Sequence, residues 1–254
     1  MEEARVLEVW SDSFKEGEWL LDIISKRFYK GTAKVTYAHN FIPIYHFEGN
    51  GSLSFSAIVY GDYKGWERIP EDIADQLEYG KPDIFLYDPL DEEILLAVEE
   101  TAAVPTGNQS LQRLERMWYA AHEEVPFAYL IAEYGLHKDG GVRRSSIWPT
   151  YLAMKLSSQY KVPSLTLLYG SSQSPENYDV GTGVELLSQL GISVIKGWLG
   201  EETSQGRKKI LETIYGQMST FVLSQYRAMA SQLPATKILS DPEFAKFLVE
   251  RSIR

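Results

Sequence analysis

Two carboxylates at the outer ends of one expected hairpin are the residues of this chain best placed to do chemistry. Residues 82–112 hold seven acids, Asp83, Asp88, Asp91, Glu92, Glu93, Glu99 and Glu100, and no Lys or Arg. Asp88, Asp91, Glu92 and Glu93 fall in or beside an expected turn at 88–91, where solvated acids are common. Asp83 opens an apolar strand at 83–87, and Glu99 stands near the end of a second at 94–101. Pairing these strands through the turn brings Asp83 and Glu99 together, with no cation inside the hairpin itself. Like charges at that range repel, so one group takes up a proton or a cation neutralises the pair. Oxygen-only ligands favour a hard ion such as Mg²⁺, which takes one or two carboxylates plus waters and substrate phosphates. An ion held in that way activates water and stabilises a phosphoryl transition state.

The elements that must position this pair can be read from periodicity and punctuation. The first thirty residues carry Trp10, Phe14, Trp19, Leu20, Ile23, Ile24 and Phe28 at helical spacing, with Gly17 as an expected break. Strands are expected at 35–37, 42–47 and 53–60, the last two joined through an Asn50-Gly51 turn. Pro70 opens a short helix running to Tyr79. After the hairpin come a helix at 110–122, a buried strand at 127–134, a helix at 149–160 and a strand at 164–169. Asn108 is placed to cap the first of these helices, with Gln109 in its first turn. The order strand, strand, helix, strand, helix, strand argues for an α/β fold: a central mixed β-sheet flanked by helices. The C-terminal third reads as a short helix at 184–190 ended by Gly191, an edge strand at 192–198, and helices at 204–233 and 241–253. We therefore expect one domain over residues 1–254, with a core at about 51–170 and a helical extension at about 181–254.

Pro82-Asp83, fifteen intervening residues and then Glu99-Glu100-Thr101 resemble the Pro-Asp…(Asp/Glu)-x-Lys hairpin of the PD-(D/E)XK nuclease superfamily. Type II restriction endonucleases are its familiar members. The flanking order of elements, roughly residues 51–169, resembles that superfamily's core as well. The resemblance implies a restriction-endonuclease-like fold and Mg²⁺-dependent, sequence-specific hydrolysis of double-stranded DNA. It implies that Asp83 and Glu99 bind the metal, and that the enzyme acts as a homodimer, for which the 204–233 helix is a candidate interface. The lysine position holds Thr101, whose hydroxyl supplies no positive charge. Three readings follow. Gln109, Gln112 or Arg113 takes the lysine's place; the Thr101 hydroxyl only orients water; or the site is inactive. Glu100-x-Ala102 is the other register, but Glu99 and Thr101 share a strand face and so form the more coherent set.

A polynucleotide needs cations elsewhere. Residues 137–162 carry five, Lys138, Arg143, Arg144, Lys155 and Lys161, against one acid, Asp139. The loop with Lys138, Arg143 and Arg144 suits a phosphate backbone or guanine edges, and equally a solvated loop. Arg207-Lys208-Lys209 is a second basic cluster. The chain as a whole is acidic, with 25 Lys+Arg against 35 Asp+Glu and a formal charge of −10, which excludes a general polycation but not a local DNA-binding surface. It has no cysteine, so disulfides, thiolate metal sites and Cys nucleophiles are excluded together. His39, His46, His122 and His137 form no zinc-protease pair, and no P-loop, dinucleotide or hydrolase-elbow motif is present. The acidic N-terminus and short apolar runs lead us to expect a cytoplasmic protein without a membrane partner. Two alternatives to a nuclease stay open: a catalytically inactive nucleic-acid-binding or assembly protein on the same fold, and an acidic interaction module.

Overall fold

The computed structural model describes residues 5–28, 33–48, 54–101, 113–136, 141–169, 182–201 and 203–229. The Asn50-Gly51 turn, Asn108, Gln109, Gln112, Lys138 and the expected helix at 241–253 lie outside them. The chain divides into two compact units, one of Met1–Glu99 with Ser188–Glu202, the other of Glu100–Leu187 with Thr203–Arg254. Both combine strands with helices, so the chain is α/β as its pattern implies.

In the first unit, β1 (Arg5–Ser11), α1 (Phe14–Ser25), β2 (Ala33–Tyr37), β3 (Pro43–Phe47), β4 (Phe55–Gly61), α2 (Glu71–Tyr79), β5 (Ile84–Asp88) and β6 (Glu93–Thr101), whose last residues Glu100 and Thr101 count with the second unit, follow in chain order. The strands hydrogen-bond in the order β6-β5-β1-β4-β3-β2. The sheet is mixed: β1 runs parallel to β4 and antiparallel to β5. β4 alternates buried and half-buried residues along its length, the period-two signature of a strand with one face against the core.

The region read as helical at the N-terminus is a strand followed by a helix. Leu7, Val9 and Ser11 alternate inward along β1, and only from Phe14 does the helical period begin. The Trp10–Phe14 interval of four residues disguises the boundary. Ser13 marks it in the structure: its backbone N–H donates to the Glu16 carboxylate at 2.9 Å. Gly17 does not break α1. It lies inside the helix where a Cβ would come within 2.6 Å of Val59 Cγ1 and 2.8 Å of Ser11 Oγ, so its bareness lets the helix lie close on β1 and β4.

That approach fixes the two faces of the sheet. Val9, Ser11 and Val59 face α1. Pairing carries the same face to Leu86 and Ile84, and on to Leu96 and Val98. The opposite face therefore holds Glu8, Trp10, Tyr60, Phe85, Tyr87 and Ala97, and two residues further along β6, Glu99.

The expected helix 184–190 and strand 192–198 are one continuous helix, α5 (Thr182–Trp198). Gly191 is no C-cap. A Cβ there would stand 2.7 Å from Ile24 Cδ1, so it is a point of close helix packing within the first unit. Packing on this face outweighs the strand preference of Ile192, Val194 and Ile195.

The second unit contains α3 (Leu114–His122), β7 (Phe127–Ala132), β8 (Tyr134–Leu136), β9 (Val142–Arg144), α4 (Trp148–Tyr160), β10 (Ser164–Tyr169) and α6 (Ser204–Met229). β7 and β10 pair in parallel, and β8 and β9 form an antiparallel pair. Phe127, Tyr129, Tyr169 and Tyr215 are fully buried. Ser157 ties three elements together: its hydroxyl accepts the Ser164 N–H at 2.9 Å and the Tyr215 O–H at 2.8 Å. Among the described residues no helix is long and apolar enough to cross a membrane.

Candidate active site

β5 and β6 pair as the antiparallel hairpin their sequence implies, with Ile84 opposite Val98, Phe85 opposite Ala97 and Leu86 opposite Leu96. A register shift at Leu86/Tyr87 absorbs one extra residue near the turn. The last pair of this register is Ile84–Val98, and the next residues outward are Asp83, just before β5, and Glu99 on β6. Asp83 is half-buried and Glu99 has no exposed surface.

Asp88, one of the acids expected to be solvated, is 2% exposed. It accepts the Leu90 N–H at 2.9 Å, an Asx turn that shapes the hairpin, and the Trp198 indole N–H at 2.7 Å. The Arg5 guanidinium stands 3.9 Å away. Its partners come from residues far apart in the chain, which local turn chemistry does not disclose.

Tyr63 organises the strand ends. Its hydroxyl lies 3.2 Å from the Trp10 carbonyl, 3.1 Å from that of Pro82 and 3.2 Å from that of Asp83. The Asp83 carbonyl also accepts the Asp12 N–H at 2.8 Å. One phenol thus ties the end of β1 to the chain entering β5. Burial pushes the Tyr63 pKa well above its ordinary value, and the carboxylates of Asp83, Asp12, Glu16 and Glu99 push it further. Those four acids therefore act on a single buried hydroxyl. Lys81 is the cation in this group: its ammonium pairs with Asp12 and sits 5.6 Å from the Tyr63 ring centroid.

Sequence reasoning missed Tyr63, Asp12, Glu16 and Lys81. Lys81 alone left a local signal, two residues before Asp83 and just outside the acidic stretch. The others converge only through strand pairing.

The remaining expected residues lie as follows. Thr101, two residues past Glu99 along β6, is 5% exposed, and its carbonyl accepts the Tyr169 O–H at 2.7 Å. The Arg113 guanidinium donates to the Glu100 carbonyl at 2.6 Å, which puts Arg113 against the β6 backbone within the second unit. Arg143 pairs with Gly135 across β8 and β9. Arg144 is engaged inside its own unit: it donates to the Glu133 carboxylate at 2.8 Å and lies 5.3 Å from the Tyr134 ring and 5.0 Å from the Phe221 ring.

Comparison with protein-family models, with curated proteins and with solved structures finds no match. The chemistry of the site therefore rests on its own donor set. Asp83 and Glu99 offer oxygen alone, the donor type of a hard divalent cation, and two carboxylates are what Mg²⁺ commonly takes from protein. Among the described residues no group of three or more His, Cys, Asp or Glu is gathered in a way that could hold a metal ion.

Proposed function

We propose that this protein is a Mg²⁺-dependent endodeoxyribonuclease acting on double-stranded DNA, of the type II restriction endonuclease kind. The observation that supports the reading is the β5–β6 hairpin, whose last pair, Ile84–Val98, is followed by Asp83 on one side and Glu99 on the other, at a strand end clamped by Tyr63. Asp83 and Glu99 would hold the ion, which supplies an activated water and charge neutralisation at a phosphate.

The other residues act on this pair. Tyr63 fixes the backbone that presents Asp83, and its buried neutral phenol adds no further negative charge to the group. Lys81 holds Asp12 and brings a positive charge to the same cluster, so we assign it the electrostatic role left open by Thr101. Arg113 steadies β6 through the Glu100 carbonyl. Lys138 and Arg143 stay the sequence-based candidates for phosphate contact. Arg144, already paired with Glu133, serves the β8–β9 hairpin.

A second reading has specific support. Glu99 is completely buried and Thr101 nearly so, which suits a structural strand end better than an open phosphate site. On that reading the chain binds nucleic acid, or assembles with partners, without cutting.

Cleavage of varied double-stranded DNA by the full chain in Mg²⁺, compared with Asp83→Ala, separates the two. A nuclease centred here loses at least about 100-fold in rate in the variant. Cleavage insensitive to Asp83→Ala would place the chemistry elsewhere, and binding without cleavage in Mg²⁺ or Mn²⁺ would favour the second reading.

A further inference from the structure

On the sheet face opposite α1, the first unit contains a pocket of about 770 Å³ lined by Glu8, Trp10, Tyr60, Trp66, Tyr87 and Glu92, among others. Four of its lining residues are aromatic, and three of them brace one another. The Trp10 and Tyr60 rings stack at 4.5 Å with 22° between planes. Trp66 stands edge-on to both, 6.1 Å from Trp10 and 4.9 Å from Tyr60. Both indole donors are already used: Trp66 N–H goes to the Gly61 carbonyl at 2.7 Å, and Trp10 N–H to the Glu8 carboxylate at 2.8 Å. What remains for a ligand is ring faces, carboxylates, the phenols of Tyr60 and Tyr87, and Arg68.

The charges in the pocket are unequal. Glu8, Glu67 and Glu92 line it against Arg68. Glu8 is half-buried, and among the described residues no Lys, Arg or His forms an ion pair with it. Burial raises its pKa, an effect the Trp10 N–H only partly offsets. A carboxylate desolvated without a counter-ion is favourable to cation binding, because a bound cation removes that penalty.

The kind of cation follows from the walls. Aromatic faces are negative and attract a cation within about 6 Å of the ring centre. They cannot replace the oxygen shell of an inorganic ion such as Mg²⁺. An organic ammonium spreads its charge over methyl groups and is weakly hydrated, so rings and one carboxylate suffice. A nucleotide base could use the same rings, but three carboxylates would repel its phosphate.

We propose that this pocket binds an organic ammonium cation of the choline or methylated-lysine type, with Glu8 as its counter-ion and Tyr60 and Trp66 as its walls. Neither Asp83 nor Glu99 lines this pocket, and the proposal does not depend on nuclease activity.

Calorimetric titration of the full chain tests this with four probes: choline, a short peptide carrying trimethyl-lysine, the neutral analogue of choline in which carbon replaces the charged nitrogen, and deoxyadenosine monophosphate. Saturable binding is expected for choline, the peptide or both, about tenfold tighter than for the neutral analogue. Preference between the first two identifies a free metabolite or a modified protein as the source. Glu8→Gln keeps an acceptor for the Trp10 N–H, so the fold is retained, and it should weaken binding about tenfold. Near-ultraviolet circular dichroism checks that the aromatic packing of this variant is intact. The proposal is overturned if no probe binds saturably, if the neutral analogue binds as well as choline, if Glu8→Gln binds unchanged, or if deoxyadenosine monophosphate binds more tightly than either cation.

Discussion

Replacing Tyr63 with Phe removes one oxygen from the centre of the acidic strand end and leaves the ring in place. The hydroxyl lies within 3.2 Å of three carbonyls but has one proton to donate. The Asp83 carbonyl keeps the Asp12 N–H at 2.8 Å, so the loss falls chiefly on the Pro82 and Trp10 carbonyls. One hydrogen bond at a site 3% exposed, with a buried acceptor left short, is worth about 1–2 kcal/mol. For a chain of this size that lowers Tm by about 2–8 °C. The difference should also depend on pH in a definite direction. The folded-state pKa of Tyr63 lies above its ordinary 10.0, so the native environment favours the protonated phenol. Its contribution is fully present below pH 10.0 and is lost as pH rises through the folded-state value. The wild type should therefore lose its advantage over Tyr63→Phe in strong alkali. Tyr45, Tyr60 and Tyr87 also have raised pKa values, that of Tyr87 at about 12, but they are common to both proteins and cancel in the difference. The assay is thermal unfolding of both proteins across the neutral and alkaline range. An unchanged Tm in the variant, or a difference constant from neutral pH to strong alkali, refutes the view that this phenol clamps the strand ends.

Two further outcomes test the surroundings of the pair. Lys81→Ala should leave Tm nearly unchanged, since an ion pair whose partners are 40% and 44% exposed contributes about 0–1 kcal/mol. Its effect on DNA cleavage should be much larger, about tenfold or more in kcat, if Lys81 supplies the charge that Thr101 lacks; equal kcat in the two proteins removes Lys81 from that role. Gly17→Ala should destabilise by about 1–2 kcal/mol in urea unfolding, because overpacking against stiff Val59 and buried Ser11 outweighs the helix propensity gained. A stabilised variant would show that α1 can lift from the sheet without cost.

What could be read from the sequence follows the reach of the interactions involved. The β5–β6 hairpin is legible because a local turn and two apolar runs define it, and Asp83 and Glu99 are the residues that follow its last pair, Ile84–Val98. The helices at α2 and α4 are legible for the same reason, each having Pro at or beside its start and its own apolar stripe. β1 is not legible in this way. Its inward residues Leu7, Val9 and Ser11 earn their meaning from partners at 55–61 and 84–87, and a helix begins only three residues after the strand ends. Gly17 and Gly191 mislead for a related reason. In isolation glycine marks a helix end, whereas here each is a place where a helix touches another element of the first unit too closely for a Cβ.

The same limit governs the site. The lysine of a Pro-Asp…(Asp/Glu)-x-Lys pattern is sought two residues after the second acid, because a strand returns that residue to the same face. What the carboxylates require is a positive charge near them in space, and several chain positions can supply it. In this fold the chain entering β5 lies beside the end of β1, tied by the Asp12 N–H to the Asp83 carbonyl and by the Tyr63 hydroxyl. A lysine two residues before Asp83 therefore joins the cluster through Asp12, a residue of the segment after β1. The motif position is empty of charge, but the cluster is not. Lys81→Ala therefore tests, more directly than a substitution at Thr101, whether a charge from this position serves the pair.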